Sequence, residues 1–158
     1  MTEVRFYHLQ RRTLDQALPL LLEKALERGM RAVVRVGSEE RLETLDRVLW
    51  TWDAASFLPH GSQRDGFAAE QPIWLTTGAE NPNRASLLVL TDGAEEETPR
   101  AQGETPGFEG FTLVCDLFDG NDEEAVAAAR GRWRRCKALG HDMTYWQQTA
   151  TGGWERKM

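Results

Sequence analysis

Short apolar runs of strand length alternate along this chain with segments whose hydrophobic residues recur every three or four positions, and that alternation leaves few folds open. Residues 4–9 (VRFYHL) read as a first strand. Leu14, Ala17, Leu18, Leu21, Leu22, Ala25 and Leu26 then mark one face of a helix that ends at Gly29. Pro19 has no N–H to donate, so this helix either begins late, with Pro19 in its first turn, or bends there. Residues 31–36 (RAVVRV) are rich in β-branched side chains and form the next strand. Ser38 can cap the helix after it, which carries Glu39 and Glu40 in its positive first turn. Strand, helix, strand, helix is the pattern of right-handed βαβ units, which build a mainly parallel sheet covered by helices.

The rest of the chain continues the theme with longer connections. Residues 52–71 mix Pro, His, Gly, Ser and charge and read as a long structured loop with a short helical turn. Residues 72–76 (PIWLT) and 86–90 (SLLVL) are buried-strand runs separated by turn-forming residues 78–83. Residues 93–110 are acidic, then rich in Pro and Gly, as expected of a mobile surface loop. Residues 111–118 (FTLVCDLF) form another core strand. Asn121 and Glu124 suggest a capping box opening a helix that runs to a left-handed C-cap at Gly140. Residues 143–148 make a final edge strand, followed by a Gly-Gly turn and a short tail over about 150–158. A chain of 158 residues suits one domain, 1–158, that buries roughly 70% of its unfolded surface.

Charge and cysteine usage narrow the function. The formal net charge of -6 repels a polyanion, so bulk DNA binding is disfavoured and an acidic partner needs a local basic patch. The two cysteines, Cys115 in an apolar run and Cys136 in a basic helix, have no zinc or redox spacing, which fits a reducing cytoplasm. No apolar run approaches the roughly 20 residues of a membrane span, and the N-terminal residues have no signal-peptide pattern.

Motifs for chemistry are missing where an α/β sheet would carry them. There is no Walker-type phosphate loop, no G-x-G-x-x-G, no G-x-S-x-G and no H-E-x-x-H, and His8, His60 and His141 lie far apart. Neither a cofactor nor a metal is expected. His60, beside Pro59 in a loop, is a conceivable general base, but such a histidine is more often a hydrogen-bonded structural residue. Asp92, in a Thr-Asp-Gly turn at a strand end, occupies the usual place of a catalytic carboxylate, yet Asp-Gly is also simply a favoured turn pair. A small α/β enzyme using Asp92 or His60 is the alternative these two residues keep open.

The sharpest compositional anomaly is residues 130–137 (RGRWRRCK), which place five cations and a tryptophan in eight positions of an acidic chain. Cations near a helix C-terminus complement its dipole, which accounts for the charge but not for the aromatic. Arg130, Arg134 and Lys137 share one helix face that Trp133 borders. Guanidinium groups on such a face can grip carboxylates, including a chain-terminal one, with the indole as an apolar wall; equally, the face is solvated and Trp133 is a core anchor. A second cluster, residues 45–60, carries Trp50, Trp52 and Phe57 out of a helix into a loop ending Pro59-His60. Burial is its default reading, and exposure would make it a partner surface.

These stretches, in order, resemble the chi subunits of bacterial DNA polymerase III. The resemblance is carried by Val-Arg-Phe-Tyr-His-Leu9, by Leu45-Asp46 to Leu49-Trp50 with Ser56-Phe57-Leu-Pro-His60, and by the basic helix from Arg130 through Trp133 and Lys137 to Gly140. It implies a mononucleotide-binding-like, Rossmann-like three-layer α/β domain without a phosphate loop. It implies a non-catalytic adaptor that binds the acidic, Phe-terminated C-terminal tail of single-stranded-DNA-binding protein and links it to the clamp loader, with DNA engaged only indirectly. By resemblance the tail-binding residues fall on Arg130, Trp133 and Arg134, with Lys137 nearby. A family lysine one turn earlier falls on Val126, so Arg132, Arg135 or Lys137 is expected to compensate. A psi-type interface falls on Trp50, Phe57 and Pro59, to be occupied by psi or by another clamp-loader or helicase partner.

Overall fold

A computed structural model describes residues 3–10, 13–51, 60–62, 68–77, 82–91, 111–138, 140–149, 151 and 153–157. Among the described residues eight strands and three helices follow one another as β1 (Glu3–Leu9), α1 (Leu14–Glu27), β2 (Ala32–Arg35), α2 (Glu39–Thr51), β3 (His60–Ser62), β4 (Ile73–Thr76), β5 (Leu87–Leu90), β6 (Leu113–Asp119), α3 (Glu123–Ala138), β7 (Asp142–Gln148) and β8 (Trp154–Arg156). A short 3-10 turn, Ala68–Glu70, precedes β4. The strands form one sheet in the order β3-β4-β2-β5-β6-β1-β7-β8, parallel throughout except for the antiparallel pair β7–β8. This is the α/β, mainly parallel architecture that the alternation of periods dictates.

Two hydrophobic clusters lie on opposite faces of the sheet. On one face α1 and α2 bury Leu18, Leu22, Leu45 and Leu49 against Val34, Leu75, Val89 and Leu117. On the other, Ala129 and Cys136 of α3 pack with Phe6, Val114 and Phe118. Cys115 belongs to the first cluster and Cys136 to the second, so the sheet itself separates the two thiols, and neither forms a disulfide. Among the described residues no helix is long and apolar enough to cross a membrane.

Several local expectations change in the folded chain. α1 starts at Leu14, ahead of Pro19, because Gln16 Oε1 accepts the Thr13 N–H at 3.1 Å and sets the cap there. Pro19 is therefore inside the helix and buried, its lost hydrogen bond offset by the packing of Leu18 and Leu22. The region read as a loop after α2 contains β3, whose His-Gly-Ser sequence has no strand propensity and is held by pairing with β4. The cap of α3 is Asp122, not Asn121: Asp122 Oδ1 accepts the Glu124 N–H at 3.0 Å, while the Asn121 amide donates to the Gln10 carbonyl at 3.0 Å. β7 is not an edge strand, because the segment read as a tail returns as β8 and covers it. Gly29 and Gly140 do take the left-handed conformation that ends α1 and α3, at φ 76° and 82°. Asp92, the acidic loop 93–110, Trp52, Phe57 and Pro59 lie outside the described residues.

Candidate functional site

The basic helix resolves into two stripes with opposite fates. Ala129, Arg132 and Cys136, spaced three and four apart, form the buried stripe of α3. Arg130, Arg134 and Lys137 form an exposed stripe. Asp122 at the N-terminus and Arg135 and Lys137 in the last turn suit the helix dipole.

Arg132 is removed from any surface role. It is 2% exposed and bonds both oxygens of Asp116, itself 2% exposed, at 2.6 and 3.0 Å. This two-pronged buried pair fastens α3 to β6, so Arg132 is not free to replace the basic residue absent at Val126. Val126 packs part-buried on the apolar cluster instead. The clue was present in the sequence: an acid in the middle of a core strand and an arginine on the buried helical stripe are each costly alone and make sense together.

Arg130 stands at the edge of an aromatic wall. Trp133, half-buried, meets Phe6 edge to face at 5.4 Å between centroids and Tyr145 at 5.9 Å. Core anchor and binding wall are thus both open to the same indole. Tyr145 hydroxyl and His8 Nδ1 are 2.6 Å apart, and His8 leans on Phe118 at 5.2 Å. Gly120 is what admits the His8 ring, since a Cβ there would overlap it. Burial, more than any other cause, holds the His8 imidazole below its ordinary range, and the nearby Arg130 charge acts in the same direction against a backbone contact at Gly120 and the Asp119 charge. The Tyr145 phenol is raised by burial, with Arg130 pulling the other way. Arg130 therefore projects its field over His8 and Tyr145, and its guanidinium has no hydrogen-bond partner among the described residues.

His8 and Tyr145 were not legible as site residues. Each is a single polar residue in a strand, and only the parallel register, with Phe6 beside Tyr145 and His8 beside Gln147, brings them under the same helix. Chemically, an unpaired cation beside a part-open aromatic wall suits a carboxylate joined to an apolar side chain.

The second predicted surface is visible only at its base. Leu45 and Leu49 of α2 are buried, and Trp50 occupies the next position of that helix. His60 is enclosed in β3, its side chain 0% exposed, with Nε2 2.9 Å from Asp46 Oδ1. A buried imidazole set against a neighbouring carboxylate fits the structural reading of His60. Among the described residues no group of three His, Cys, Asp or Glu side chains converges as metal ligands would.

Comparison with known proteins identifies the family. The sequence model of "DNA polymerase III chi subunit, HolC" matches residues 1–144. A "Probable DNA polymerase III subunit chi" from Rickettsia prowazekii (strain Madrid E) is 34% identical over 120 residues, 75% of this chain and 73% of that protein. The "DNA polymerase III subunit chi" of Pseudomonas aeruginosa is 28% identical over 148 residues, 90% of this chain and 94% of that one. With a family match extending from β1 into β7, and so across both the sheet and the basic helix, the chain belongs to the DNA polymerase III chi subunit family.

Proposed function

We propose that this chain is a non-catalytic adaptor of the replication machinery that holds the acidic, Phe-terminated C-terminal tail of single-stranded-DNA-binding protein on α3. The observation that carries the reading is Arg130, an exposed guanidinium without a partner among the described residues, set beside the half-buried Trp133 and the Tyr145–His8 pair. The tail carboxylate meets Arg130, the terminal phenyl lies along Trp133, and Arg134 and Lys137 attract the preceding acids. Charge-assisted hydrogen bonds of this kind contribute roughly 1.5–3 kcal/mol. The site lies beside the C-terminal end of β1, in a sheet we read as mononucleotide-binding-like and lacking the phosphate loop that would make it a nucleotide site.

A second surface, at Trp50 with Phe57 and Pro59, takes psi or another clamp-loader or helicase partner, so that the chain connects DNA-bound protein to the polymerase complex in the cytoplasm without gripping DNA itself. The net charge of -6 supports that indirect role. Fluorescence anisotropy of a labelled tail peptide, titrated at two salt concentrations with wild type and Arg130→Ala, tests the tail site. Salt-sensitive binding that weakens about tenfold or more in the variant is expected. Unchanged affinity would remove the site from α3, and no binding by wild type would remove the adaptor reading.

A further inference from the structure

The sheet face opposite α3 holds a cavity of about 370 Å³ between α1 and the β1–β7–β8 side of the sheet. That volume falls within the roughly 300–1,000 Å³ of small-molecule sites. No described residue of α2 or α3 lines it, and neither His8 nor Tyr145 does, so it is separate from the site on α3. It exists because one helix must cover a wide strip of sheet. Trp146 and Trp154 pack against the core from β7 and β8 yet stay part-exposed, as does Leu21 across from them on α1.

The inner surface is aromatic. Tyr7 stacks with Trp146 at 6.5 Å and meets Trp154 edge to face at 4.9 Å. Burial pushes the Tyr7 phenol and the Cys115 thiol each up to about 12, so the floor is uncharged at neutral pH. Among the described residues its rim is charged with one sign only. Arg5, Lys24 and Arg28 line it and no described Asp or Glu does, although acids outnumber bases 25 to 19 in the chain. Glu3 engages Arg5 at 3.2 and 3.3 Å. Lys24 and Arg28, one turn apart and both exposed, have no side-chain partner among the described residues. A helix C-terminus accommodates such cations anyway, but the dipole does not explain why they stand over an open aromatic floor with no acid among the described lining residues.

We propose that this cavity binds a small anionic amphiphile, whose aromatic or aliphatic body lies between Leu21 and the Trp146–Trp154 pair and whose carboxylate, sulfonate or phosphate lies at Lys24 and Arg28. The inference is independent of the tail-binding reading. The probe is anilinonaphthalene sulfonate, followed by fluorescence excited through tryptophan, with uncharged phenylnaphthylamine as its neutral counterpart. Wild type should take up one sulfonate per chain at least about tenfold more tightly than the neutral dye. The exposed pair Lys24→Glu/Arg28→Glu should abolish that preference, Leu21→Trp should weaken both dyes by filling the cavity, and Arg130→Ala should change neither. Circular dichroism reports whether each variant is folded. Equal affinity for the two dyes, a preference that survives Lys24→Glu/Arg28→Glu, or a preference lost in Arg130→Ala would each overturn the proposal.

Discussion

The two stripes of α3 carry the same kind of residue to opposite ends. Arg132 is sealed between helix and sheet, where both oxygens of Asp116 satisfy its guanidinium. Arg130, two positions earlier, faces outward beside Trp133 with no partner among the described residues. In the interior, a charge is tolerated only when its pairing is complete, so Arg132 is committed to structure. At the surface, solvent keeps an unpaired charge cheap, which leaves Arg130 available to a ligand. The chemistry of a basic cluster is thus decided by the helix's rotation against the sheet, not by the number of its cations.

The most severe way to break this contrast is to empty the inner stripe. Arg132→Ala leaves Asp116 buried without its cation and should lower the unfolding free energy by about 3–5 kcal/mol in urea titrations. Replacing both partners with apolar residues, Arg132→Met with Asp116→Leu, should recover most of that loss; if it does not, the pair contributes more than mutual compensation. Trp133→Ala sits on the border and should affect both properties. Being half-buried, it should cost about 2 kcal/mol, less than the roughly 3–5 of a fully buried tryptophan, and it should also weaken tail binding. A stability loss with tail affinity intact would make Trp133 a core anchor only.

Arg130→Ala should show the mirror image of Arg132→Ala, with stability within about 0.5 kcal/mol of wild type and tail affinity reduced about tenfold. Calorimetric melting alongside the peptide titration separates the two effects. The smallest expected effect is a pH dependence at His8, whose folded pKa lies below its ordinary value of 6.5 through burial and Arg130. A depressed imidazole pKa means that the unfolded chain binds more protons in the acid range. The stabilising contribution is therefore complete above about pH 6.5 and is lost as pH falls below it. His8→Gln should flatten the wild-type stability curve over that acid interval, and parallel curves for the two proteins would dismiss the effect.

Much of the fold was legible because local and tertiary requirements agree. β-branched runs such as the one around Val33 and Val34, and the three-four spacing of Leu18, Leu22 and Ala25, produce the same strand and helix in isolation and in context. Legibility failed where partners from elsewhere dominate. β3 is a strand only because β4 pairs with it, and β8 turns the expected edge strand β7 into an interior one. In the site, Arg130, Arg134 and Lys137 could be placed on one face from spacing alone, whereas Arg132, one of three residues expected to compensate for Val126, lies inside because Asp116 pairs with it there. Ala129 and Cys136, three before and four after it, already marked its side of the helix as buried.

By itself, then, the sequence determined an alternating α/β chain of one family, with a dense cluster of cations on its last helix, because hydrophobic periodicity and short motifs are properties of neighbouring residues. Tertiary structure alone decided that β1 lies between β6 and β7, and hence that His8, Tyr145 and Trp133 meet below Arg130 while Asp116 takes Arg132 out of play. Strand order and register join residues more than a hundred positions apart, and no local pattern in the chain encodes that pairing.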